Sequence, residues 1–536
     1  MEATQSLVHM EKKQEVKHQG LLLTGLFIAM LFGALDGTIV GTAMPRIIGE
    51  LGGMGLMAWL STSYMLTSTV IVPIAGKLSD LIGRKIVYVT GIFIIGSALC
   101  GLSQNMTELV LFRALQGVGG GIMMPMAMII VGDLFTGAKR ARWQGMFGAL
   151  FGLAGVIGPQ VGGWIVDSWN WRWVFYINLP VGIIATIIIA MALPKHRSLE
   201  VVRFDIAGML TMVIGVVGLL LALTLGGKDF PWASWQIIGL FAVSFLFVLI
   251  FIRIETRATE PILPMRFFKD RTFTLINSIG FLMSVGMFGA MMFVPLYMQG
   301  IMGFSPSASG TIMMPLTVTM IGASIVCGLI IEKTGIRIQM AAGLLLMAVS
   351  FVFLAMMGLY TSTLTVTITM LVLGLGMGMV FPGLTVALQE SYPQSDLGLV
   401  TSSSTFFRQI GGTFGITVLG AIMNLQSSQY LTDQLIPALN QMPEKGPEVD
   451  TIISQVDHDP QQLFSALLSP DTISQMPQVF LTDVVPIMKS ALVDSLQAVF
   501  LWSLGFVVVG LVICFFLRKI HITEKARSKG NTSHFH

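Results

Sequence analysis

Fourteen runs of about 18 to 25 mostly apolar residues punctuate this chain, the length an α-helix needs to cross a hydrocarbon core about 30 Å thick. They fall at roughly 21–44, 57–76, 86–104, 107–131, 142–166, 173–193, 205–226, 235–253, 274–299, 307–331, 338–358, 363–389, 400–424 and 495–517. Backbone in lipid must satisfy its own hydrogen bonds, so such runs become helices. The runs from 57 and 363 hold enough Gly and Thr to be the weakest of the fourteen as spans. Of the 536 residues, 54% are hydrophobic and 11% charged, against about 25% charged in a soluble domain. The chain reads as an all-α polytopic membrane protein, which excludes a soluble enzyme, a nucleic-acid binder and a disordered protein. Residues 1–20 are polar, and the apolar run after them is too long for a signal-peptide core and ends without a small-residue cleavage site. It is expected to remain as the first span.

Basic residues set the orientation. With the amino terminus in the cytoplasm, 24 of the 31 Lys and Arg residues fall on the cytoplasmic side. They cluster as Lys77/Arg84/Lys85, Lys139/Arg140/Arg142, Arg253/Arg257/Arg266/Lys269/Arg271 and Arg518/Lys519/Lys525, whereas Arg46, Arg172, Lys228, Lys445 and Lys489 face outside. Basic residues stay on the side from which a chain is inserted, so both termini are expected in the cytoplasm and the number of spans should be even.

An internal echo suggests the organisation. Gly76-x3-Asp80-x2-Gly83-Arg84 closes the second span, and Gly328-x3-Glu332-x2-Gly335-x-Arg337 closes the tenth. Related six-span halves are typical of transporters, and two extra spans between them would set the echo eight spans apart. The expected layout is a tail at 1–20, a first bundle at 21–193, two additional helices at 205–253, a second bundle at 274–517 and a tail at 518–536. Within the second bundle, residues 425–494 are polar and expected outside, either as amphipathic surface helices or as a flexible linker.

Several chemistries have no place here. There is no G-x-x-x-x-G-K-[ST] phosphate loop, all seven histidines lie outside the spans, and the three cysteines lack CxxC spacing. Neither a metal site nor a cofactor is expected, and no polar domain could house an enzyme. Work would draw on an ion gradient or on the cargo's own gradient.

Asp36 is the one carboxylate deep within a span. A charge at mid-bilayer costs about 2.5 to 3.5 kcal/mol on insertion scales, so it needs a use or a partner. At 1.5 Å per residue, Asp36 and Arg113 lie about 12 Å and 9 Å from the outer ends of spans one and four, which allows them to pair. The pair is either a packing ion bridge or a proton-coupling site that Arg113 modulates. Arg408 enters span thirteen alone, either to meet an anionic substrate group or to brace the inner gate through carbonyls and Glu390.

Glycines complete the pattern. Gly33, Gly37 and Gly41 share one face of span one, which would let another helix approach closely. Span five holds Gly152, Gly155, Gly158, Pro159, Gly162 and Gly163, expected to form a smooth packing face with a bend at the proline. With Leu35-Asp36-Gly37-Thr38-Ile39-Val40, Gly76-Lys-Leu-Ser-Asp80-Leu-Ile-Gly83-Arg84-Lys85, Arg113-Ala-Leu-Gln116-Gly117-Val-Gly119-Gly120-Gly121 and Trp171-Arg172-Trp173-x-Phe175-x2-Asn178, the chain resembles the major facilitator superfamily, specifically its fourteen-span drug:proton antiporters of the QacA/EmrB type. The resemblance covers about residues 21–424 and the last helix.

That resemblance implies a major facilitator fold in a plasma membrane, bacterial by family, with two six-helix bundles plus two extra helices. It implies alternating-access export of hydrophobic, often cationic, compounds in exchange for protons. It makes Gly76, Asp80, Gly83, Arg84, Lys85 and Asp133 a cytoplasmic gate, with Arg84 pairing Asp133, and makes the span-five glycines the antiporter motif. Met and Phe, at 37 and 34 residues, supply adaptable apolar walls. Cavity candidates are Trp59, Tyr64, Phe147, Tyr297, Gln299, Phe381, Phe406 and Arg408. Expected partners are the substrates, protons and the bilayer, with an adaptor protein possible in principle at the outer segment and no nucleic acid. The competing readings are a same-fold exporter of an endogenous lipid, siderophore, peptide or nucleotide metabolite, and a membrane sensor or scaffold.

Overall fold

An apolar run begins as a helix where a polar side chain can take up the free N–H groups of its first turn. Asn105, Asp205, Ser234, Asp270 and Ser362 each do this, accepting from a backbone N–H two or three residues on. At Asn105 the cap is reciprocal, because its side-chain amide donates to Glu108 Oε1 at 2.7 Å, and Glu108 also accepts from the Gln104 N–H at 2.9 Å.

The structure is a computed structural model that describes residues 19–51, 56–89, 92–135, 137–193, 205–227, 230–258, 261–304, 306–393, 396–440 and 484–518. Its long helices are α1 (Gln19–Leu51), α2 (Met57–Ile82), α3 (Arg84–Leu102), α4 (Met106–Leu134), α5 (Gly137–Ser168), α6 (Trp173–Ala192), α7 (Ile206–Leu225), α8 (Trp235–Glu255), α9 (Arg271–Gly300), α10 (Pro306–Thr334), α11 (Ile336–Ala355), α12 (Thr363–Ser391), α13 (Leu397–Tyr430) and α14 (Val485–Phe515). Twelve are long and apolar enough to cross a membrane. The other two, α2 and α5, are diluted by Ser, Thr and Lys77 and by Gly, Lys139, Arg140 and Arg142. The run from 363 is fully apolar enough after all.

Two of the buried apolar clusters lie within α1–α6, one of them centred on Met126, Ile130 and Phe147, the other on Ile39, Trp171 and Phe175. A larger one joins α9–α14. A fourth crosses between them: Met212, Val216 and Leu220 of α7 pack with Leu66 and Val70 of α2 and with Phe406 of α13. The inserted helix thus covers the seam between the two bundles.

The chain alternates direction, so the starts of α1, α5 and α13 and the ends of α2, α4, α10 and α12 share one face. This is called the basic face, after Arg84, Lys85, Arg140 and Arg142. The turns closing α2 and α10 match in conformation, with Gly83 at φ 95° and Gly335 at φ 80°, where a side chain would be strained.

The 425–494 expectation is corrected at both ends. Helix continues from α13 through a π-helical turn, Leu431–Leu435, to Ile436–Asn440, and α14 begins ten residues earlier than the apolar run at 495. Leu431, Leu435 and Leu439 repeat every fourth residue and are fully buried with Val484 and Met488. Residues 441–483 lie outside the described residues, as does the apolar patch Leu463–Leu468.

Candidate functional site

Asp36 sits midway along α1 with a side chain that is 0% exposed, and three side chains from two other helices hydrogen-bond to it. The Arg113 guanidinium donates to its Oδ2 at 2.6 Å. The amides of Gln116 and Asn178 each donate to its Oδ1 at 2.8 Å. Arg113 also donates to Gln116 Oε1 at 2.6 Å and to the Leu60 carbonyl at 3.3 Å, and Gln116 reaches Ser97 at 2.8 Å. Tyr64 lies under the guanidinium with its ring centre 4.4 Å away. No side-chain N or O atom of the cluster is among those buried without a hydrogen-bond partner, which makes a buried charge pair tolerable. Gln116 and Asn178 stand in the quoted motifs without a site role, and Ser97 stands in none; the signal for the first two is an amide inside a strongly apolar span.

Close helix approach makes the cluster possible. A Cβ at Gly96 would stand 2.5 Å from Gln116 Cα, so α3 and α4 touch backbone to backbone. Gly158 of α5 leaves room for Thr38, whose hydroxyl donates to the Ala154 carbonyl at 3.1 Å. Of the span-five glycines, Gly158 therefore meets the Asp36 helix two residues beyond the carboxylate. The close-packing expectation fails elsewhere: a Cβ at Gly37, Gly41, Gly155 or Gly163 would meet nothing within 4 Å. Gly162 is buried, and the surroundings of Gly152 and Pro159 lie outside the described residues.

On the basic face, Arg84 donates to Asp133 at 3.0 Å and to Ser79 at 2.8 Å, the pairing expected from the gate motif. Lys85 donates to the Leu193 carbonyl at 3.0 Å, and the Asp80 side chain lies outside the described residues. Gly76 serves the seam itself, since a Cβ there would run into Ser402 and stand 2.9 Å from the Gly398 carbonyl oxygen of α13. Gly328, its counterpart in the echo, brings α10 equally close to the Arg142 backbone of α5. Across the same seam Arg140 pairs with Glu390 at 3.0 Å, and Gln389 reaches the Met128 carbonyl at 3.4 Å. The contacts at Gly76, Gly328, Arg140 and Gln389 join the two bundles on the basic face.

The cavity candidates separate. Phe381 lies 4.6 Å from the Arg408 guanidinium, between the bundles. The expected Arg408–Glu390 brace is replaced: Arg140 takes Glu390, and Arg408 donates to Thr405 at 3.2 Å and Thr385 at 3.4 Å. Phe147 is fully buried in the first bundle beside Trp143, and Tyr297 is buried in the second with its hydroxyl on the Gly358 carbonyl. Trp59 and Phe406 pack in the α2–α7–α13 cluster, and Gln299 bonds Ser309. Bulky side chains in apolar helices are drawn into packing wherever neighbours can cover them.

The family model of the Major Facilitator Superfamily matches residues 26–203 and 186–416. The chain is 57% identical over 519 residues to a protein of Bacillus subtilis (strain 168) named multidrug transporter protein MdtP, covering 96% of each. It is 35% identical over 512 residues to multidrug resistance protein 3 of the same organism, covering 94% of this chain and 96% of that one. Among solved structures, the proton:xylose symporter XylE aligns with a TM-score of 0.59 at 12% identity, over 94% of this chain and 97% of that one.

Proposed function

This chain belongs to the major facilitator superfamily, and on that premise we propose that it exports hydrophobic, often cationic, compounds by alternating access, one or more protons entering as the cargo leaves. The observation that carries the proton-coupled reading is the Asp36 cluster. It is a carboxylate buried at mid-helix, held by three side chains from two other helices, so any shift of α1 against α4 or α6 breaks hydrogen bonds to its charged form. In the conformation described the carboxylate is sealed, so the mechanism needs a second conformation that opens the cluster to water. The basic-face contacts Gly76–Ser402, Arg84–Asp133 and Arg140–Glu390 would keep the cytoplasmic side closed in the present one. Export of several compounds is supported by the names of the two Bacillus relatives. Where the net charge moved per cycle is one, 100 mV supplies about 2.3 kcal/mol, enough for a roughly fifty-fold gradient of cargo.

The test is ethidium transport into proteoliposomes under an imposed pH gradient. The wild type should accumulate dye against its gradient. Asp36→Asn should bind ethidium in detergent yet lose accumulation by about two orders of magnitude. Undiminished uphill transport by Asp36→Asn would overturn the coupling role.

A further inference from the structure

Of the buried arginines, Arg140 lies at the basic end of its helix, whereas Arg113 at 1% exposure and Arg408 at 5% lie deeper along theirs, and these two are satisfied very differently. Arg113 has a carboxylate, an amide and a carbonyl. Arg408 has two threonine hydroxyls at 3.2 and 3.4 Å and the Met128 thioether at 3.9 Å, and no carboxylate pairs with it among the described residues. A guanidinium carries five N–H donors, and long bonds to neutral acceptors compensate poorly for its lost hydration. The residue also sits at the seam. Thr385 and Phe381 come from α12, Thr405 from α13, and Met128 from α4 of the opposite bundle. A Cβ at Gly280 of α9 would stand 3.3 Å from the Arg408 side chain, so glycine there makes its room.

We infer that Arg408 is an anion-recognition point in the transport path, taking a carboxylate or sulfonate of an amphiphilic cargo while Phe381 covers the apolar part beside it. The inference rests on the exporter reading and widens it: the protein accepts anionic as well as cationic amphiphiles. When the bundles part, the Met128 contact is the one that breaks, and the freed N–H donors face the opened space. A small inorganic anion could fill the same role as a counter-ion.

Equilibrium binding to the detergent-solubilised full chain tests this without any proton gradient. The probes are the anionic dye 1-anilinonaphthalene-8-sulfonate and cationic ethidium, each in chloride and in gluconate buffer. Charged hydrogen bonds of this kind contribute enough that Arg408→Gln should weaken the anilinonaphthalene sulfonate at least about tenfold relative to ethidium. Arg408→Lys, which keeps the charge and loses the fork, should fall between. Should Arg408→Gln not fold, Arg408→Lys together with competition in the wild type decides the matter: dodecanoate should displace the sulfonate dye and dodecanol should not. A chloride-only site is revealed if sulfonate binding in gluconate is no stronger than in chloride and dodecanoate fails to compete, which overturns the cargo role. Equal weakening of both dyes makes Arg408 a packing brace, and unchanged sulfonate binding removes it from recognition. If anion binding follows the expected pattern while wild type moves neither dye uphill, the exporter reading fails and the site stands.

Discussion

At the scale of residues, the Asp36 cluster depends on glycine as much as on charge. The 2.5 Å approach between a Gly96 Cβ and Gln116 Cα is to a helix backbone, which cannot swing aside as a flexible side chain would. Gly96→Ala is expected to destabilise by about 1–3 kcal/mol, read as a fall in the melting temperature of the solubilised protein. Gly322→Ala, whose Cβ would meet nothing within 4 Å, is the control and should hold or raise that temperature. Equal melting temperatures for the two variants would count against the packing described. The Asp36–Arg113 pair was legible in the sequence because charges inside apolar runs are rare and their depths could be compared. Asn178 and Ser97 were not, since neutral polar residues are common in spans and only packing shows which way they point.

At the scale of elements, α13 and α14 reach well past the membrane. From Leu397 to Leu439 the helical stretch is 43 residues, about 65 Å at 1.5 Å per residue and roughly twice the hydrocarbon thickness. The short, more polar portion beyond the hydrocarbon would not stay ordered in water by propensity alone. Burial of Leu431, Leu435 and Leu439 against Val484, Val485 and Met488 stabilises it. Leu435→Asp removes one of these contacts and buries a charge, so the extension should open. Cleavage by an added protease near residues 425–440 should rise strongly while the membrane-embedded helices remain intact. If the cleavage pattern matched wild type, the extension would not depend on that stripe. Counting apolar residues in a membrane-length window hid this feature, because the stripe is only every fourth residue in an otherwise polar stretch.

At the scale of the whole molecule, the ion pairs of the basic face are unequal, Arg84–Asp133 joining α3 to α4 within the first bundle and Arg140–Glu390 joining α5 to α12 across the seam. Side chains of Arg84 and Asp133 are 18% and 25% exposed, and a pair so placed contributes about 0–1 kcal/mol. Arg140 and Glu390 are 6% and 10% exposed, and Arg140 also donates to the Phe135 carbonyl at 2.7 Å and the Gly132 carbonyl at 2.5 Å. Removing one member of such a buried pair costs about 3–5 kcal/mol. Glu390→Gln should therefore open the seam more than Arg84→Ala does. A cysteine at Ser402, buried against Gly76, reports it: labelling by an impermeant maleimide from the basic face should speed up about tenfold or more in Glu390→Gln and less in Arg84→Ala. The reverse order would assign the clamp to the gate motif alone.

From the sequence alone followed the all-helical membrane architecture, the number of long helices, the echo between the turns after α2 and α10, and the two charges that meet in the first bundle. These are set by local properties: run length, the cost of an isolated charge in lipid, and the need for glycine where φ is positive. Tertiary structure decided the rest. It placed α7 across the seam, paired Arg140 with a carboxylate 250 positions away, left Arg408 among hydroxyls, and took Phe147 and Tyr297 into the cores. Those outcomes depend on which faces of separate helices come together, and in lipid that choice is made by close packing and polar pairing between helices, not by the hydrophobicity of any one of them.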